Sequence, residues 1–176
     1  MANLKHLSLI CSIVVLAIIS MPQGHCRVFQ PNDVRLIEQT CKQTPHPDLC
    51  IKLLEADPHS SSADVNGLAL ILVNVIKAKA NDVSNKIKEL LKGRGDKKAL
   101  TSCADNYSAI LIGDIPEATQ ALQFGNPKFA ENGVSDCTVE ATSCEEGFNG
   151  KSPLTNENNS MRDVADVTRA IVRLLL

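Results

Sequence analysis

The sequence contains 176 residues, of which 44% are hydrophobic and only 3% aromatic, and its formal net charge at pH 7 is −2. This near-neutral balance excludes a protein that binds nucleic acid mainly through a basic face. Four Phe, one Tyr and no Trp are too few for a typical β-sandwich core or for platforms that stack single-stranded bases. The core must therefore be aliphatic, which favours helices.

The first segment, residues 1–26, has the pattern of a secretory signal peptide. A charged start precedes the hydrophobic run from Leu7 to Ile19, which is too short to span a bilayer comfortably. We expect cleavage after Gly24 or Cys26, and a cut after Cys26 leaves residues 27–176 as one domain with no membrane segment. Secretion places the five remaining cysteines in an oxidising compartment, where disulfides form.

The next segment, at about residues 32–56, is predicted to form a helical hairpin. Cys41 and Cys50 have eight residues between them, a spacing that suits a bridge across the turn of such a hairpin. Three more cysteines compete for a second bridge, namely Cys103, Cys137 and Cys144. Because five is an odd number, at least one thiol stays free or pairs with another chain, and several pairings are open.

Four amphipathic helices are predicted over about residues 62–176. Aliphatic residues recur at steps of three and four in four stretches, from Leu68 to Leu90, Leu100 to Leu122, Ala130 to Phe148 and Met161 to Leu175. Their short connections favour an antiparallel, up-down-up-down four-helix bundle. Cys103 and Cys144 lie on the apolar stripes of the second and third helices, so a bridge between these two is geometrically natural. The fold predicted from the pattern is all-α.

Four sequence signals set the expected ends of these helices. Ser61 to Asp64 can cap the first helix, and Pro116 should kink or divide the second. Asn126 followed by Pro127 is a cap residue and a favoured first residue for the third. Ser160 to Asp163 is a candidate capping box for the fourth.

Motifs for catalysis or metal binding are absent from the sequence. It contains no nucleophile elbow, no His-Glu-x-x-His, no phosphate-binding glycine loop and no Cys-x-x-Cys pair. His46 and His59 lie in polar turns without a recognisable partner, and Cys137 next to Asp136 is interpreted as a buried, inert thiol. We therefore expect no enzyme activity, no cofactor and no metal.

Two sequons make Asn106 and Asn158 candidate N-glycosylation sites in a secreted chain. Asn106 falls inside the second predicted helix, so Asn158 is the preferred acceptor. The tripeptide from Arg94 to Asp96 is interpreted as a solvated loop between helices rather than as a recognition motif.

Six segments, in a specific order and spacing, indicate a family. They are Cys41 to Cys50, Leu68 to Ala80, Pro116-Glu-Ala118, Asn126-Pro-Lys-Phe-Ala-Glu-Asn-Gly133, Cys144-Glu-Glu-Gly-Phe148 and Val167-Thr-Arg-Ala-Ile-Val-Arg-Leu-Leu175. On these segments the chain resembles the plant invertase inhibitor and pectin methylesterase inhibitor superfamily from about residue 32 to Leu176. The resemblance implies an α-hairpin followed by a four-helix bundle, with bridges Cys41–Cys50 and Cys103–Cys144. Cys137 is then an additional, free thiol.

The resemblance also implies a target and a binding site. Members of this family block a carbohydrate-active enzyme of the cell wall or vacuole in a stoichiometric complex. In the invertase branch a Pro-Lys-Phe triad enters the active-site cleft of the enzyme, and it matches Pro127, Lys128 and Phe129 of this chain. An acid invertase (β-fructofuranosidase), bound 1:1, is therefore the expected partner.

Two alternatives remain open from the sequence. The first is inhibition of pectin methylesterase, with contacts from helix faces rather than from the triad. The second is a secreted helical protein with a structural or storage role. The expected location is the apoplast and cell wall, with the vacuole as the alternative, and neither nucleic acid nor membrane is an expected partner.

Overall fold

The computed structural model describes residues 31–176, with side chains from Arg35 onwards, and the predicted signal peptide lies outside this part of the chain. Its regular elements are all helical, so the predicted all-α class is confirmed. The α-helices are α1 Pro31–Cys41, α2 Pro47–Glu55, α3 Val65–Leu91, α4 Lys97–Ala109, α5 Ile115–Gln123, α6 Pro127–Glu146 and α7 Thr155–Arg173. A 3₁₀ turn at Ser60–Ser62 precedes α3, and a π-helical turn at Ile110–Asp114 joins α4 to α5.

Helices α1 and α2 form the predicted hairpin. The disulfide Cys41–Cys50 joins them, and both half-cystines are completely buried. The Thr44 hydroxyl donates a hydrogen bond of 2.8 Å to the carbonyl oxygen of Cys41, which stabilises the turn. The hairpin packs against α3 and α7, so it is attached to the bundle by buried apolar surface as well as by the chain.

The bundle is formed by α3, by α4 and α5 together, by α6 and by α7. Helices that follow one another along the chain pack together, and α7 also packs against α3. This order is consistent with the expected up-down-up-down topology. The shared core is aliphatic, as the composition required, and its largest buried side chains are mainly Leu and Ile. The second disulfide, Cys103–Cys144, joins α4 to α6 inside this core.

The second bundle helix is interrupted where Pro116 predicts a break. Ile110–Asp114 forms one π turn, in which the Ile115 N–H bonds to the carbonyl oxygen of Ile110. Pro116 then occupies the first turn of α5, where its missing N–H leaves no bond unmade. Gly133 of α6 faces this turn so closely that a Cβ atom there would lie 2.6 Å from the Asp114 carbonyl oxygen. The absence of a side chain at Gly133 therefore allows α6 to approach the π turn.

Two of the predicted helix starts need correction. Asp64 caps α3 as expected, accepting a hydrogen bond of 2.8 Å from Gly67 N. However, α7 begins at Thr155, five residues before the proposed capping box, and the Ser160 hydroxyl instead accepts a bond from Lys79 Nζ. Asn126 does occupy the N-cap position of α6, but its side chain makes no capping hydrogen bond.

One of the two candidate glycosylation sites, Asn158, belongs to a polar pair inside the core. Tyr107 and Asn158 are fully buried, and the Tyr107 hydroxyl donates to Asn158 Oδ1 at 2.8 Å. Asn158 Nδ2, the atom that would carry a glycan, donates to Glu145 Oε2 at 2.7 Å. This burial and bonding disfavour Asn158 as an acceptor in the folded protein, and glycosylation there stays a prediction. Asn106 is half-buried and donates to the Glu140 carbonyl oxygen, and its glycosylation stays a prediction.

Candidate target-binding site

The triad Pro127, Lys128 and Phe129 forms the first turn of α6, at the end of a tight connection from α5. The Asn126 N–H donates to the Ala121 carbonyl oxygen at 2.8 Å and closes this connection. Gly125 has a φ of +69°, in the left-handed region that a residue with a side chain rarely adopts. The three triad residues are thus presented on a helix end that the backbone fixes in place.

Lys128 is exposed but tethered. Its side chain is 66% exposed, and its ammonium lies 2.7 Å from Glu131 Oε2, one helical turn further on. The other oxygen of Glu131 accepts a hydrogen bond of 2.5 Å from Arg173 Nε at the end of α7. The Glu131 carboxylate, which is only 7% exposed, therefore bridges two cations from two helices.

This bridge has a clear electrostatic consequence. Two hydrogen bonds, one from Lys128 with the larger effect and one from Arg173, hold the pKa of Glu131 below its ordinary value. The carboxylate therefore stays ionised in mildly acidic solution. One negative charge between two positive charges leaves a net charge of +1 on the cluster of Lys128, Glu131 and Arg173. An ammonium has three donors, so Lys128 keeps two for another carboxylate while it remains bonded to Glu131.

Phe129 lies on the surface together with a second aromatic residue. The Phe129 side chain is 54% exposed, and Phe124, at the end of α5, is 77% exposed. The two rings line a shallow groove of about 200 Å³ together with Glu117, Gln120, Ala121 and Asn126. Exposed large apolar side chains next to each other are typical of a surface that binds a partner.

Four cysteines form two bridges that stabilise the fold, and none of the cysteines between residues 31 and 176 lines the groove. The structure contains both bridges that the family resemblance implied. Cys137 is free and buried, and burial together with the neighbouring Asp114 and Asp136 raises the pKa of its thiol. A thiol in such surroundings is rarely ionised and hence unreactive.

His46 and His59, the two histidines in the described part of the chain, have aspartate neighbours rather than a catalytic environment. His46 Nε2 lies 3.6 Å from Asp163 Oδ1, and His59 Nδ1 lies 2.9 Å from Asp57 Oδ1, both at exposed positions. Between residues 31 and 176, no group of three or more His, Cys, Asp or Glu side chains is arranged to hold a metal ion. None of the helices in that part of the chain is long and apolar enough to cross a membrane.

Three features of the site were not predicted from the sequence. The contact between Lys128 and Glu131 has the i, i+3 spacing of a helical ion pair and was detectable in principle. The contact between Glu131 and Arg173 joins residues 42 positions apart, and no local pattern shows it. Phe124 lies beyond the last regular turn of α5, outside the periodicity that identified the helices.

Fold and site together define a class of protein. A disulfide-bridged helical bundle that presents a fixed, cationic and aromatic helix end is typical of a protein that binds another protein. Comparison with known families agrees, since residues 35–171 match the model for the plant invertase/pectin methylesterase inhibitor family. The chain belongs to this family, whose members are inhibitors rather than enzymes.

Individual relatives come from both branches of the family. The chain is 51% identical over 137 residues to cell wall / vacuolar inhibitor of fructosidase 1 from Arabidopsis thaliana, covering 77% of this chain and 67% of the relative. It is 30% identical over 147 residues to a pectinesterase inhibitor from Actinidia deliciosa, covering 80% and 79%. Its fold matches the crystal structure of a mutant form of an Arabidopsis pectin methylesterase inhibitor, with a TM-score of 0.69, 22% identity and coverage of 80% and 97%.

Proposed function

We propose that this protein inhibits an acid invertase by inserting the first turn of α6 into the active-site cleft of the enzyme, without covalent chemistry and in a 1:1 complex. The observation that carries the proposal is the exposed pair Lys128 and Phe129, held on a fixed helix end. The relative named an inhibitor of fructosidase, at 51% identity, supports invertase as the target.

The chemistry of a glycosidase cleft complements this helix end. Glycosidases use a pair of carboxyl groups on either side of the bond that they cleave, so the cleft carries negative charge. Lys128 retains two donors for such carboxylates. The apolar ring of Phe129 can occupy the space of a sugar ring. Glu131 holds Lys128, Arg173 holds Glu131, and the Asn126–Ala121 backbone bond closes the connection to α6. Because these contacts order the site before binding, little conformational entropy is lost on docking.

The direct test is to titrate the oxidised protein against an acid invertase and a pectin methylesterase in parallel. We expect stoichiometric inhibition of the invertase that sucrose relieves by competition, so that the apparent KM rises and kcat is unchanged. Inhibition that raises no KM would contradict occlusion of the cleft. Inhibition of neither enzyme would leave a structural or storage role as the better account.

Pectin methylesterase is the second candidate target. The relative from Actinidia deliciosa and the matched crystal structure are both named as inhibitors of this enzyme class. In that case the contacts would come from helix faces, and the triad would not be needed. Inhibition of pectin methylesterase alone would replace the first proposal by this one.

We also propose that the protein is secreted and acts in the apoplast, with the vacuole as the alternative. The hydrophobic run from Leu7 to Ile19 and the relative described as a cell wall / vacuolar inhibitor support this location. A fluorescent fusion at the C-terminus, imaged after plasmolysis, would separate cell wall from vacuole.

A further inference from the structure

The groove between Phe124 and Phe129 has a size and a lining that the triad alone does not explain. Its volume of about 200 Å³ is below the range of pockets for small-molecule ligands, but it is sufficient for a single side chain. Its lining includes two aromatic residues, Phe124 and Phe129, and one acidic residue, Glu117. A groove of this kind is suited to one inserted side chain.

The charges around the groove select the kind of side chain. Glu117 is exposed and takes part in none of the ion pairs formed between the described side chains. The carboxyl of Asp114 lies close enough for the negative charge of Glu117 to affect it. Lys128, the lysine next to Phe129 in the sequence, donates its hydrogen bond to Glu131 and not to Glu117. The groove therefore combines two aromatic residues with a carboxylate that forms no ion pair with a side chain of residues 35–176.

We propose that this groove takes a cationic side chain, arginine by preference, from the rim of the cleft of the target enzyme. Guanidinium groups stack on aromatic faces and pair with carboxylates, which Phe124, Phe129 and Glu117 supply together. The inference rests on the proposed function and adds a second contact to it. Lys128 would pair with negative charge inside the cleft and Glu117 with positive charge at its rim. Because the two contacts have opposite sign, together they fix the orientation of docking.

The ligand preference of the groove can be tested without an enzyme. The probe is N-acetyl-arginine amide, and its matched neutral control is N-acetyl-citrulline amide, followed by NMR on the ring resonances of Phe124 and Phe129. We expect saturable shifts with the arginine probe, weaker shifts with citrulline, and loss of the difference in Glu117→Gln. Equal shifts with both probes, or no shift with either, would overturn the cationic preference.

The role of the groove in docking is tested by inhibition constants against acid invertase. Phe124→Ala should weaken inhibition about 10- to 30-fold, the effect of losing an aromatic anchor, and Glu117→Gln about threefold with a smaller salt dependence. Ile112→Ala is the matched control, because Ile112 is as exposed as Phe124 and does not line the groove. It should leave inhibition unchanged.

The outcomes separate this inference from the proposed function. The single variants Phe124→Ala and Glu117→Gln are compared with the double variant that carries both Lys128→Ala and Phe129→Ala. If the two single variants inhibit as the wild type does and the double variant does not inhibit, the triad acts without the groove and this inference fails. If the wild-type protein does not inhibit invertase, the proposed function fails. The arginine-selective shifts then still decide whether the groove binds a cation.

Discussion

The two ends of α6 have opposite surroundings. Toward its C-terminus, Val134, Cys137 and Ala141 are completely buried, and Cys144 is bridged to α4. At its N-terminus, Lys128 and Phe129 are largely exposed and pack little against the bundle. The same helix therefore contributes core at one end and presents an interaction surface at the other.

This difference indicates that stability and binding are separated along one helix. A buried apolar residue stabilises the fold through the area that it removes from water, whereas an exposed ring contributes little until a partner covers it. Substitutions in the buried part should therefore change the free energy of unfolding and leave inhibition by the folded protein unchanged. Substitutions at the exposed end should do the reverse.

The largest expected effect is the removal of the bridge between α4 and α6. Cys103→Ala with Cys144→Ala should lower the free energy of unfolding by about 4 kcal/mol, because the bridge closes a loop spanning 41 positions. Urea unfolding followed by circular dichroism measures it. The matched control is removal of Cys41–Cys50, which spans 9 positions and should cost about 2.5 kcal/mol. An equal cost for both bridges would contradict the loop-length argument.

A smaller effect is expected from the buried polar pair. Asn158→Ala leaves the Tyr107 hydroxyl without its acceptor in the core, which should cost about 2 kcal/mol. Tyr107→Phe with Asn158→Ala should be closer to the wild type than Asn158→Ala alone, because no buried donor is then left unpaired. Thermal unfolding of the three variants checks this order, and a double variant less stable than the single one would refute it.

Asp114 should make stability depend on pH in the direction opposite to Glu131. Burial, with repulsion from Asp136, Glu140 and Glu117, raises the pKa of Asp114 to about 6. The contribution of Asp114 to the free energy of unfolding is therefore fully present at a pH below the ordinary pKa of an aspartate. It is lost as the pH rises through the folded pKa of about 6. At pH 7, Asp114→Asn should stabilise the fold by about 1 kcal/mol, less than the full shift implies because the residue as a whole is only partly buried.

The pH profile distinguishes the two acids. Glu131 has a lowered pKa, so its contribution is present above the ordinary glutamate value and is lost as the pH falls through its folded pKa. The free energy of unfolding, measured from pH 3 to 8, should fall less steeply with rising pH between about pH 4 and 6 in Asp114→Asn than in the wild type. The same slope in both proteins would show that Asp114 is not responsible.

The smallest effect on stability is expected at the exposed end of α6. Phe129→Ala should change the free energy of unfolding by no more than about 0.5 kcal/mol, since more than half of the ring is already in water. Differential scanning calorimetry measures this change. A loss of about 2 kcal/mol would mean that Phe129 is a core residue, and the separation along α6 would not hold.

Much of the fold was predictable because helical periodicity is a local property. The stripe from Leu68 to Leu90 corresponds to α3, Val65–Leu91, since each apolar position directly reports the face that is buried. The start of α7 was misplaced because its first turn, from Thr155 onwards, is polar. Leu154, which is completely buried just before it, anchors that turn instead of a capping side chain.

The site was predictable only in part. Pro127, Lys128 and Phe129 could be selected by family resemblance, and their position on a helix end followed from Asn-Pro. The tether from Arg173 to Glu131 depends on how α7 packs against α6, which a single sequence does not encode locally. The contact of Asn158 with Tyr107, 51 positions away, likewise has no local signal, so the burial of this sequon could not be predicted.

The central claim is that the exposed end of α6 carries inhibition of acid invertase. Its most direct test compares two double variants. The first carries both Lys128→Ala and Phe129→Ala. The second, the matched control, carries both Lys98→Ala and Val139→Ala, and it also removes an exposed lysine and an apolar side chain that is 57% exposed. Both proteins should unfold at the wild-type temperature. We expect the inhibition constant to rise by at least about 100-fold in the first double variant and to stay unchanged in the second. Wild-type inhibition by the folded first variant would contradict the account.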